Sequence, residues 1–382
     1  MTSTRIPFNK PYMTGKELYH IASANFGNVL SGDGPFTKKC HAWLEHYSGS
    51  EKALLTHSCT AALEMAALLL EIGPGDEVIM PSYTFVSTAN AFVLRGATIV
   101  FIDIRDDTLN IDEKLIEAAI TPKTRAIVVV HYAGVSCEMN TIMAIANIHG
   151  LKVIEDAAQA IFSTYNGKML GSIGDFGTYS FHETKNIISG EGGALLINDR
   201  NAVSRAEIIR EKGTDRSQFH RGQIDKYTWQ MVGSSFLPGD LTAAFLWAQL
   251  EEAHEITKAR IALWNNYNEM LHTLEVQGLI RRPIIPTECK HNGHMYYVIL
   301  APNFQREVVL NRMFDKEINA VFHYVPLHSS PAGLRFGRTH GQMNVTDINS
   351  NNLIRLPLWI GLKFEQQTRV VDALVKALTT PT

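Results

Sequence analysis

The sequence is poor in the features that mark disulfide-rich, membrane-spanning and nucleic-acid-binding proteins. Its 382 residues contain only four cysteines; they lie far apart and form no C-x-x-C pair, which argues against a disulfide scaffold and a zinc ribbon. No apolar run reaches the roughly 18 residues of a membrane span, so none is expected. The chain has 35 Lys and Arg residues and 38 Asp and Glu residues, so its formal net charge is −3. A general nucleic-acid binder would be basic, so no nucleic-acid partner is predicted.

The N-terminal segment also lacks the apolar core and small-residue cleavage site of a signal peptide. Together with the separated cysteines, this favours a reducing, cytoplasmic location. Hydrophobic residues make up 45% and charged residues 19% of the chain, which is the composition of a folded globular protein. At roughly 100–200 residues per domain, the length predicts two domains or one large domain with an appendage.

In the first half of the chain, short apolar runs alternate with segments of helical periodicity. Strands are predicted at 53–55, 78–80, 98–104, 126–131 and 152–155, and helices at 60–71, 87–95, 112–120 and 139–150. This alternation predicts an α/β fold with a mostly parallel sheet between helices. The strands are almost continuously apolar, as in Ile127-Val128-Val129-Val130, which is typical of strands covered on both faces.

The pattern changes after about residue 175. Further strands are predicted at 176–181, 193–198, 294–301 and 320–324, with a long loop at 212–240 and one long helix at 241–274. We therefore predict a large domain of residues 1–250 and a smaller C-terminal α/β domain of residues 251–382.

Ligands of open α/β sheets bind beyond the carboxyl ends of the strands, where four clusters carry reactive residues. Residues 56–60 place hydroxyl groups at a helix start; they indicate either a phosphate cradle or a plain helix cap. In residues 81–85, Phe85 is able to stack on a planar ligand, although core packing is the simpler interpretation by itself.

The third cluster, residues 155–159, ends a buried strand with two carboxylates, which are costly there unless they are paired. Asp156 is a candidate partner for a protonated ring nitrogen; a helix cap or internal salt bridge is the alternative. The fourth cluster, residues 180–186, contains Lys185 between two strands and beside a glycine-rich stretch. Lys185 is a candidate Schiff-base nucleophile, although an ordinary surface lysine is the simpler interpretation when it is taken alone.

Together the four clusters supply a phosphate cradle, an aromatic plate, an acid and a lysine. These are the protein groups that pyridoxal 5'-phosphate (PLP) requires, so a PLP site is predicted. The sequence also contains 15 histidines, but no two stand at a ligand spacing with further ligands converging. No metal site is therefore expected.

Several segments carry a resemblance to a known family: SGDGPFTKKCHAWLE, THSCTAALEMAALLL, PSYTFVSTANAFVLRGA, EDAAQ and SFHETKN followed by ISGEGGALL. From about Ile6 to the C-terminal helix, the chain resembles the sugar aminotransferases of the DegT/DnrJ/EryC1/StrS family, which have the aspartate aminotransferase (type I PLP) fold. The resemblance implies transfer of the amino group of L-glutamate to the 4-keto carbon of dTDP-4-dehydro-6-deoxy-D-glucose. The products would be dTDP-4-amino-4,6-dideoxygalactose and 2-oxoglutarate, for a cell-surface polysaccharide such as enterobacterial common antigen.

The resemblance also implies roles for particular residues. Lys185 would be the Schiff-base lysine, Asp156 would pair with the pyridine nitrogen, and Phe85 would stack on the ring. Gln159 would lie near the phenolic oxygen of PLP. The family works as dimers with shared active sites, so a homodimer is expected, with a tetramer as the larger possibility.

For the PLP phosphate, the resemblance implies contacts from Cys59, Thr60 and Ser180. Many family members add an asparagine from a G-x-N loop of the partner subunit. Here the corresponding stretch, residues 233–237, has Ser235 in that place. A serine hydroxyl also donates to phosphate, but its reach is shorter.

Substrate contacts are expected in two places. In the segment Phe322–His328, which resembles an active-site segment of the family, His328 is the candidate. In the basic loop, one or more of Arg216, Arg221 and Lys226 would grip the diphosphate of the sugar nucleotide, because arginine binds phosphate oxygens as a bidentate fork. The alternative is a solvated loop whose basic side chains balance the negative charges of Asp215 and Asp225.

Three alternative functions remain on the same fold. A sugar dehydratase of this kind has histidine in place of the Schiff-base lysine, so Lys185 favours transamination. A 3-amino-sugar transaminase would use the same residues on another carbon. A non-catalytic PLP-fold protein is disfavoured by the complete set of catalytic residue types.

Overall fold

Strands in three sheets organise the chain, of which the computed structural model describes residues 5–380. In chain order they are β1 (Lys52–Thr56), β2 (Glu77–Pro81), β3 (Thr98–Ile102), β4 (Thr124–Val130), β5 (Lys152–Asp156), β6 (Thr164–Tyr165), β7 (Lys168–Met169), β8 (Phe176–Ser180), β9 (Gly193–Ile197), β10 (Ile280–Arg281), β11 (Cys289–Lys290), β12 (Tyr296–Leu300), β13 (Gly337–Thr339) and β14 (Leu353–Leu356). The strands predicted in the first half of the chain are all present, within a few residues of their predicted ends.

Helices cover the main sheet and form most of the C-terminal part. They are α1 (Glu17–Phe26), α2 (Pro35–Ser48), α3 (Cys59–Leu69), α4 (Val86–Val93), α5 (Glu113–Ala119), α6 (Met139–His149), α7 (Val203–Arg210), α8 (Arg216–His220), α9 (Asp240–Glu251), α10 (Ala253–Met270), α11 (His272–Val276), α12 (Arg306–Phe314), α13 (Pro331–Phe336), α14 (Asn344–Asn352) and α15 (Phe364–Thr379). None of the helices described combines the length and the apolar character that a membrane crossing needs.

The prediction of one continuous helix at 241–274 is wrong. It consists of α9, α10 and α11, and the first break falls at Glu252, whose φ of −107° and ψ of 8° interrupt the helical backbone. The apolar periodicity continues across this break, which is why the sequence pattern suggested one helix.

The main sheet has eight strands in the order β1-β9-β8-β5-β4-β2-β3-β13. From β8 to β13 every neighbouring pair is parallel, whereas β9 is antiparallel to both β1 and β8. This confirms a mostly parallel, mixed sheet of the α/β class. The edge strand β13 was not anticipated, because it is contributed by three residues from the C-terminal part of the chain.

The central strands bury side chains in both helical layers. Ile79 and Ile127 belong to the apolar cluster on the side of α2, α6 and α9, whereas Val78 and Val128 belong to the cluster beneath α3, α4 and α7. Alternating side chains of one strand point to opposite faces. The continuous apolar runs therefore arise from burial on both faces, as predicted.

A third apolar cluster lies in the C-terminal part, where β10, β12 and β14 form a small sheet covered by α10, α12 and α15. Ile6, from the opposite end of the chain, belongs to this cluster, and its N–H donates to the Glu317 carbonyl at 2.8 Å. The division at residue 250 stays a prediction. Ile6, from the predicted large domain, packs in the C-terminal cluster, and β13, from the predicted small domain, is part of the main sheet.

Candidate active site

A cavity of about 770 Å³ lies beyond the carboxyl ends of the strands of the main sheet, against the small C-terminal sheet. The residues that line it include every predicted cofactor contact except Ser235, namely Cys59, Thr60, Phe85, Asp156, Gln159, Ser180 and Lys185. It is also lined by residues that were not predicted, among them Phe8, Arg260, His294, His323, Tyr324 and Arg355. The four separate sequence clusters therefore face one space.

The N-terminus of α3 forms one wall of the cavity. Ser58 caps the helix by accepting a 3.1 Å hydrogen bond from the Ala61 N–H, so the next residues, Cys59 and Thr60, keep their backbone N–H groups for a ligand. A Cβ on Gly193 would stand only 2.4 Å from the Cys59 nitrogen, so glycine is needed for this close approach. Free N–H groups and the helix dipole suit a phosphate.

The two carboxylates at the end of β5 have different surroundings. The buried Glu155 points away from the cavity, where it accepts hydrogen bonds from backbone N–H groups in residues 171–174 and pairs with His131 at 2.9 Å. Asp156 lines the cavity, and its Oδ2 accepts a 2.7 Å hydrogen bond from the Thr88 hydroxyl. Glu155 therefore stabilises the fold, while Asp156 is available to a ligand.

Thr88 was missed in the sequence. Its oxygen lies 2.7 Å from the Thr84 hydroxyl. Because the Thr88 hydrogen is donated to Asp156, Thr84 is the donor in this second bond. The two threonines, at the start of α4, form a short chain that ends on the Asp156 carboxylate. The sequence predicted the helix but not that its first turn lies beside the end of β5.

Lys185 stands in the turn between β8 and β9, where its backbone N–H donates to the His182 carbonyl at 2.9 Å. Desolvation lowers the pKa of its amine, and the nearby Cys59 and Asp156 oppose this shift. Among the residues described, no carboxylate forms an ion pair with Lys185. A desolvated amine with a lowered pKa is a better nucleophile at neutral pH. Burial raises the pKa of the Cys59 thiol, so this thiol stays protonated.

Phe85 is 56% exposed and lines the cavity, so core packing does not explain it. Gln159 is held at both ends of its amide: its oxygen accepts from the Ala133 N–H at 2.7 Å, and its nitrogen donates to the Tyr324 hydroxyl at 2.9 Å. Tyr324 has a φ of 40°, a conformation rarely adopted by non-glycine residues. Its ring lies 6.2 Å from the ring of Phe85.

The predicted substrate contact His328 lies outside the cavity. Its Nδ1 is 2.7 Å from the Ser82 hydroxyl, and its Nε2 is 3.5 Å from Asp347. The Ser82 oxygen also accepts a 3.0 Å hydrogen bond from the His328 backbone N–H. These bonds hold the segment in place. Within that segment, Phe322, His323 and Tyr324 are the residues that line the cavity.

The remaining predicted contacts, which also lie outside the cavity of this chain, are Ser235, Arg216, Arg221 and Lys226. Arg216 pairs with Glu211 at 3.1 Å and Arg221 with Glu207 at 2.8 Å, whereas Lys226 and Ser235 are exposed. The two arginines therefore form ion pairs with Glu207 of α7 and with Glu211 just after it, and not with Asp215 and Asp225. In the residues described, no three His, Cys, Asp or Glu side chains are grouped as a metal site requires.

The fold and the cavity define a protein of the aspartate aminotransferase type: a lysine, a carboxylate, an aromatic ring and a helix N-terminus face one space. Comparison with known proteins agrees. The family described as "DegT/DnrJ/EryC1/StrS aminotransferase family" matches residues 12–375, and the chain belongs to this family of sugar aminotransferases.

Relatives match along nearly the whole length. The chain is 32% identical to the spore coat polysaccharide biosynthesis protein SpsC of Bacillus subtilis over 97% of this chain and 96% of that protein. It is 32% identical to GDP-perosamine synthase of Caulobacter vibrioides, covering 98% of each. The PLP form of the putative sugar aminotransferase Spr1654 from Streptococcus pneumoniae has a TM-score of 0.89 at 25% identity, over 98% of this chain and 100% of that one. The cofactor of the protein is therefore PLP.

Proposed function

We propose that the protein moves the amino group of L-glutamate to the 4-keto carbon of dTDP-4-dehydro-6-deoxy-D-glucose, giving dTDP-4-amino-4,6-dideoxygalactose and 2-oxoglutarate. One observation carries the chemistry: the Lys185 amine and the Asp156 carboxylate line the same cavity, which has room for a cofactor and a sugar. A relative named for spore coat polysaccharide biosynthesis supports a role in polysaccharide biosynthesis. The proposed end product is a cell-surface polysaccharide of the enterobacterial common antigen type.

The residues present fit PLP, and we assign its contacts as follows. The N–H groups of Cys59 and Thr60 hold the phosphate at the start of α3, where an anion is stabilised by the helix dipole. Ser180 lines the same part of the cavity and adds a hydroxyl donor. Phe85 would stack on the ring, because more than half of its side chain is exposed where it lines the cavity. Gln159 contacts the phenolic oxygen.

When bound, PLP accepts the electron pair released as the donor loses its α proton. Lys185 would anchor the cofactor between turnovers. When it is free, its desolvated amine would take the α proton of the donor and deliver it to carbon C4′ of the cofactor. Asp156 contributes a negative charge, which favours a protonated ring nitrogen. In the second half-reaction, Lys185 moves the proton in the opposite direction, at carbon 4 of the sugar.

We also propose a homodimer with shared active sites, or a tetramer built from it. On α1, Leu18, Tyr19 and Phe26 are exposed, and so is Trp229 in the loop that carries Ser235. Exposed apolar side chains that are grouped on a surface mark sites of association. In this arrangement Ser235, which is exposed in its own subunit, would contact the phosphate of the partner. The four free cysteines are compatible with the proposed cytoplasmic location.

The test is to measure 2-oxoglutarate release when PLP-loaded protein receives L-glutamate with a keto sugar. We expect stoichiometric release with dTDP-4-dehydro-6-deoxy-D-glucose. The matched GDP-linked keto sugar is the necessary comparison, since one relative is a GDP-perosamine synthase. A dehydratase would consume the sugar without stoichiometric release of 2-oxoglutarate, and a non-catalytic protein would do neither. Faster turnover of the GDP sugar would contradict the proposed nucleotide.

A further inference from the structure

A buried histidine in the wall of the cavity is tied to the residue that follows Lys185. His294 is 9% exposed, and its Nδ1 lies 3.0 Å from Oδ1 of Asn186. The Asn186 amide nitrogen donates to the Asn292 carbonyl at 3.0 Å, and a carbonyl only accepts, so the orientation of this amide is fixed. Its oxygen is therefore the atom that faces His294. The Nδ1 of His294 must then carry a hydrogen and donate it.

Asn292 also holds the backbone of His294. Its amide oxygen accepts from the His294 N–H at 3.0 Å, and its nitrogen donates to the carbonyls of Gln159 at 2.9 Å and Ile161 at 2.7 Å. Arg260 adds a 2.6 Å hydrogen bond to the His294 carbonyl. These bonds fix both the backbone and the ring of His294, so they also fix the position of the second ring nitrogen, Nε2.

This second nitrogen is able to accept a hydrogen bond. Because Nδ1 carries the hydrogen of the neutral ring, Nε2 carries a lone pair. Nε2 has no partner among the residues described and is not enclosed in the interior, and His294 lines the cavity. Desolvation and the charges of Lys185, Arg260 and Arg355 lower the pKa of His294 well below its usual range. The ring therefore stays neutral, and Nε2 remains an acceptor.

The amine of Lys185 lacks a fixed partner of its own. It forms no hydrogen bond or ion pair in the part of the chain that the structure describes. Its charge lowers the pKa of His294, so the two side chains lie near each other along the cavity wall. A carboxylate partner would favour the protonated amine. A neutral acceptor instead takes one amine hydrogen and leaves the nitrogen lone pair for reaction.

We propose that Nε2 of His294 accepts a hydrogen bond from the Lys185 amine whenever that amine is free, which makes His294 a positioning residue. The inference rests on the proposed transamination, in which Lys185 must reach both the cofactor and the α proton of the donor. Lysine carries its amine on a flexible four-carbon stem, and a hydrogen bond to a fixed acceptor restricts the motion of that stem. Correct placement of a reacting group supplies much of the rate of an enzymatic step.

Two substitutions separate this role from a merely structural one. His294→Gln places an amide oxygen near the position of Nε2 and loses the Nδ1 donor, whereas His294→Asn keeps a donor near Nδ1 and has no group at Nε2. The rate at which the apoprotein attaches PLP tests the free amine without any substrate. In this step the Lys185 nitrogen replaces the aldehyde oxygen of PLP, and one water is released. Loss of one neutral hydrogen bond predicts attachment about five- to tenfold slower in His294→Asn, and a rate close to wild type in His294→Gln.

His41 provides the matched control, because its buried Nε2 accepts from the Leu55 N–H at 2.8 Å, away from the cavity. Thermal unfolding of the apoproteins shows that each variant is folded. His41→Asn should lower the unfolding temperature and still attach PLP at the wild-type rate. The half-reaction with L-glutamate should rank the variants in the same order. His294→Asn should have a lower maximal rate and an unchanged glutamate concentration at half-maximal rate.

A wild-type attachment rate in His294→Asn overturns the inference. A defect in His294→Gln alone also overturns it, because the ring would then act only through its bond to Asn186. Equal slowing of both variants, or a defect confined to the sugar half-reaction, has the same consequence. If the wild-type protein attaches PLP to Lys185 but aminates no keto sugar, the proposed function fails, while the comparison of the two His294 variants still decides the inference.

Discussion

The Thr88 hydroxyl donates a 2.7 Å hydrogen bond to Oδ2 of Asp156, and Thr84 donates to Thr88 over the same distance. Both threonines are buried. The carboxylate is thus oriented by neutral donors, because the Ala158 N–H also donates to its Oδ1, at 3.2 Å. In the proposed mechanism, the negative charge of Asp156 acts on the ring nitrogen. The orientation of the carboxylate therefore matters as much as its charge.

Thr88→Val removes this hydroxyl while it keeps the shape of the side chain. A hydrogen bond to a charged group contributes about 1.5–3 kcal/mol, so the glutamate half-reaction should slow by about tenfold or more. Asp156→Asn, which removes the charge itself, should slow it much further. Rapid-mixing spectroscopy of the PLP-loaded protein measures both rates, and its absorption spectrum reports the protonation state of the ring.

Thr257→Val is the matched control for this substitution, because the buried Thr257 hydroxyl bonds only to the Ala253 carbonyl of its own helix. Both valine variants should be similarly stable. An unchanged half-reaction and spectrum in Thr88→Val would mean that Asp156 needs no such orientation.

Phe85→Ala should weaken the binding of PLP without a loss of stability. Stacking of an aromatic ring contributes about 0.5–1.5 kcal/mol beyond its buried area, which corresponds to a few-fold lower affinity. Because Phe85 is exposed to the cavity, its removal leaves no hole in the core. Dialysis against limiting PLP gives the affinity, and thermal unfolding of the apoprotein gives the stability. The exposed Phe364 provides the control variant Phe364→Ala. A destabilised Phe85→Ala protein with normal PLP affinity would restore the core-packing interpretation.

The basic loop is expected to act on the nucleotide end of the substrate. Neutralising Arg216, Arg221 or Lys226 should raise the KM for the sugar nucleotide in at least one variant and leave the glutamate half-reaction unchanged, because a diphosphate contact is remote from the reacting carbon. Lys258→Gln, on the exposed side of α10, is the control. Since Arg216 and Arg221 already pair with Glu211 and Glu207, the largest effect is expected at Lys226. If every variant keeps the wild-type KM, the loop is a solvated surface.

Lys185→Ala should fold, bind PLP non-covalently and lose transamination. Without the amine, the visible absorption band of lysine-bound PLP should be absent, and neither half-reaction should proceed at a useful rate. Absorption spectroscopy and mass spectrometry after borohydride reduction check this directly, because reduction fixes PLP to the lysine that holds it. Fixation of PLP to another lysine in wild type would refute the assignment.

The sequence located those parts of the site that lie just beyond the end of a strand. Phe85, which follows β2, and Lys185, which lies between β8 and β9, were singled out in this way, and both line the cavity. Each segment taken alone had a simpler interpretation, and it was the combination of the four clusters that indicated a PLP site. The parallel strands were equally readable, because burial on both faces requires continuous apolar runs.

The remaining parts depend on contacts between segments that are distant in the chain. Thr88 acquires its role because its hydroxyl lies beside the end of β5, and Arg355 lines the cavity although it belongs to β14 of the small sheet. In the segment from Phe322 to His328, Tyr324 has a positive φ and lines the cavity, whereas His328 lies outside it. No local sequence pattern indicates this backbone conformation. The sequence therefore pointed to His328, at the end of the segment that lies outside the cavity.

The most direct test of the proposed reaction is the position of the transferred nitrogen. PLP-loaded protein is incubated with ¹⁵N-labelled L-glutamate and dTDP-4-dehydro-6-deoxy-D-glucose, and the product is analysed by NMR. The proposed function predicts ¹⁵N on carbon 4 in the galacto configuration, with an equal amount of 2-oxoglutarate and no product from Lys185→Ala. Nitrogen on carbon 3, the gluco configuration at carbon 4, or a sugar product without ¹⁵N would contradict it.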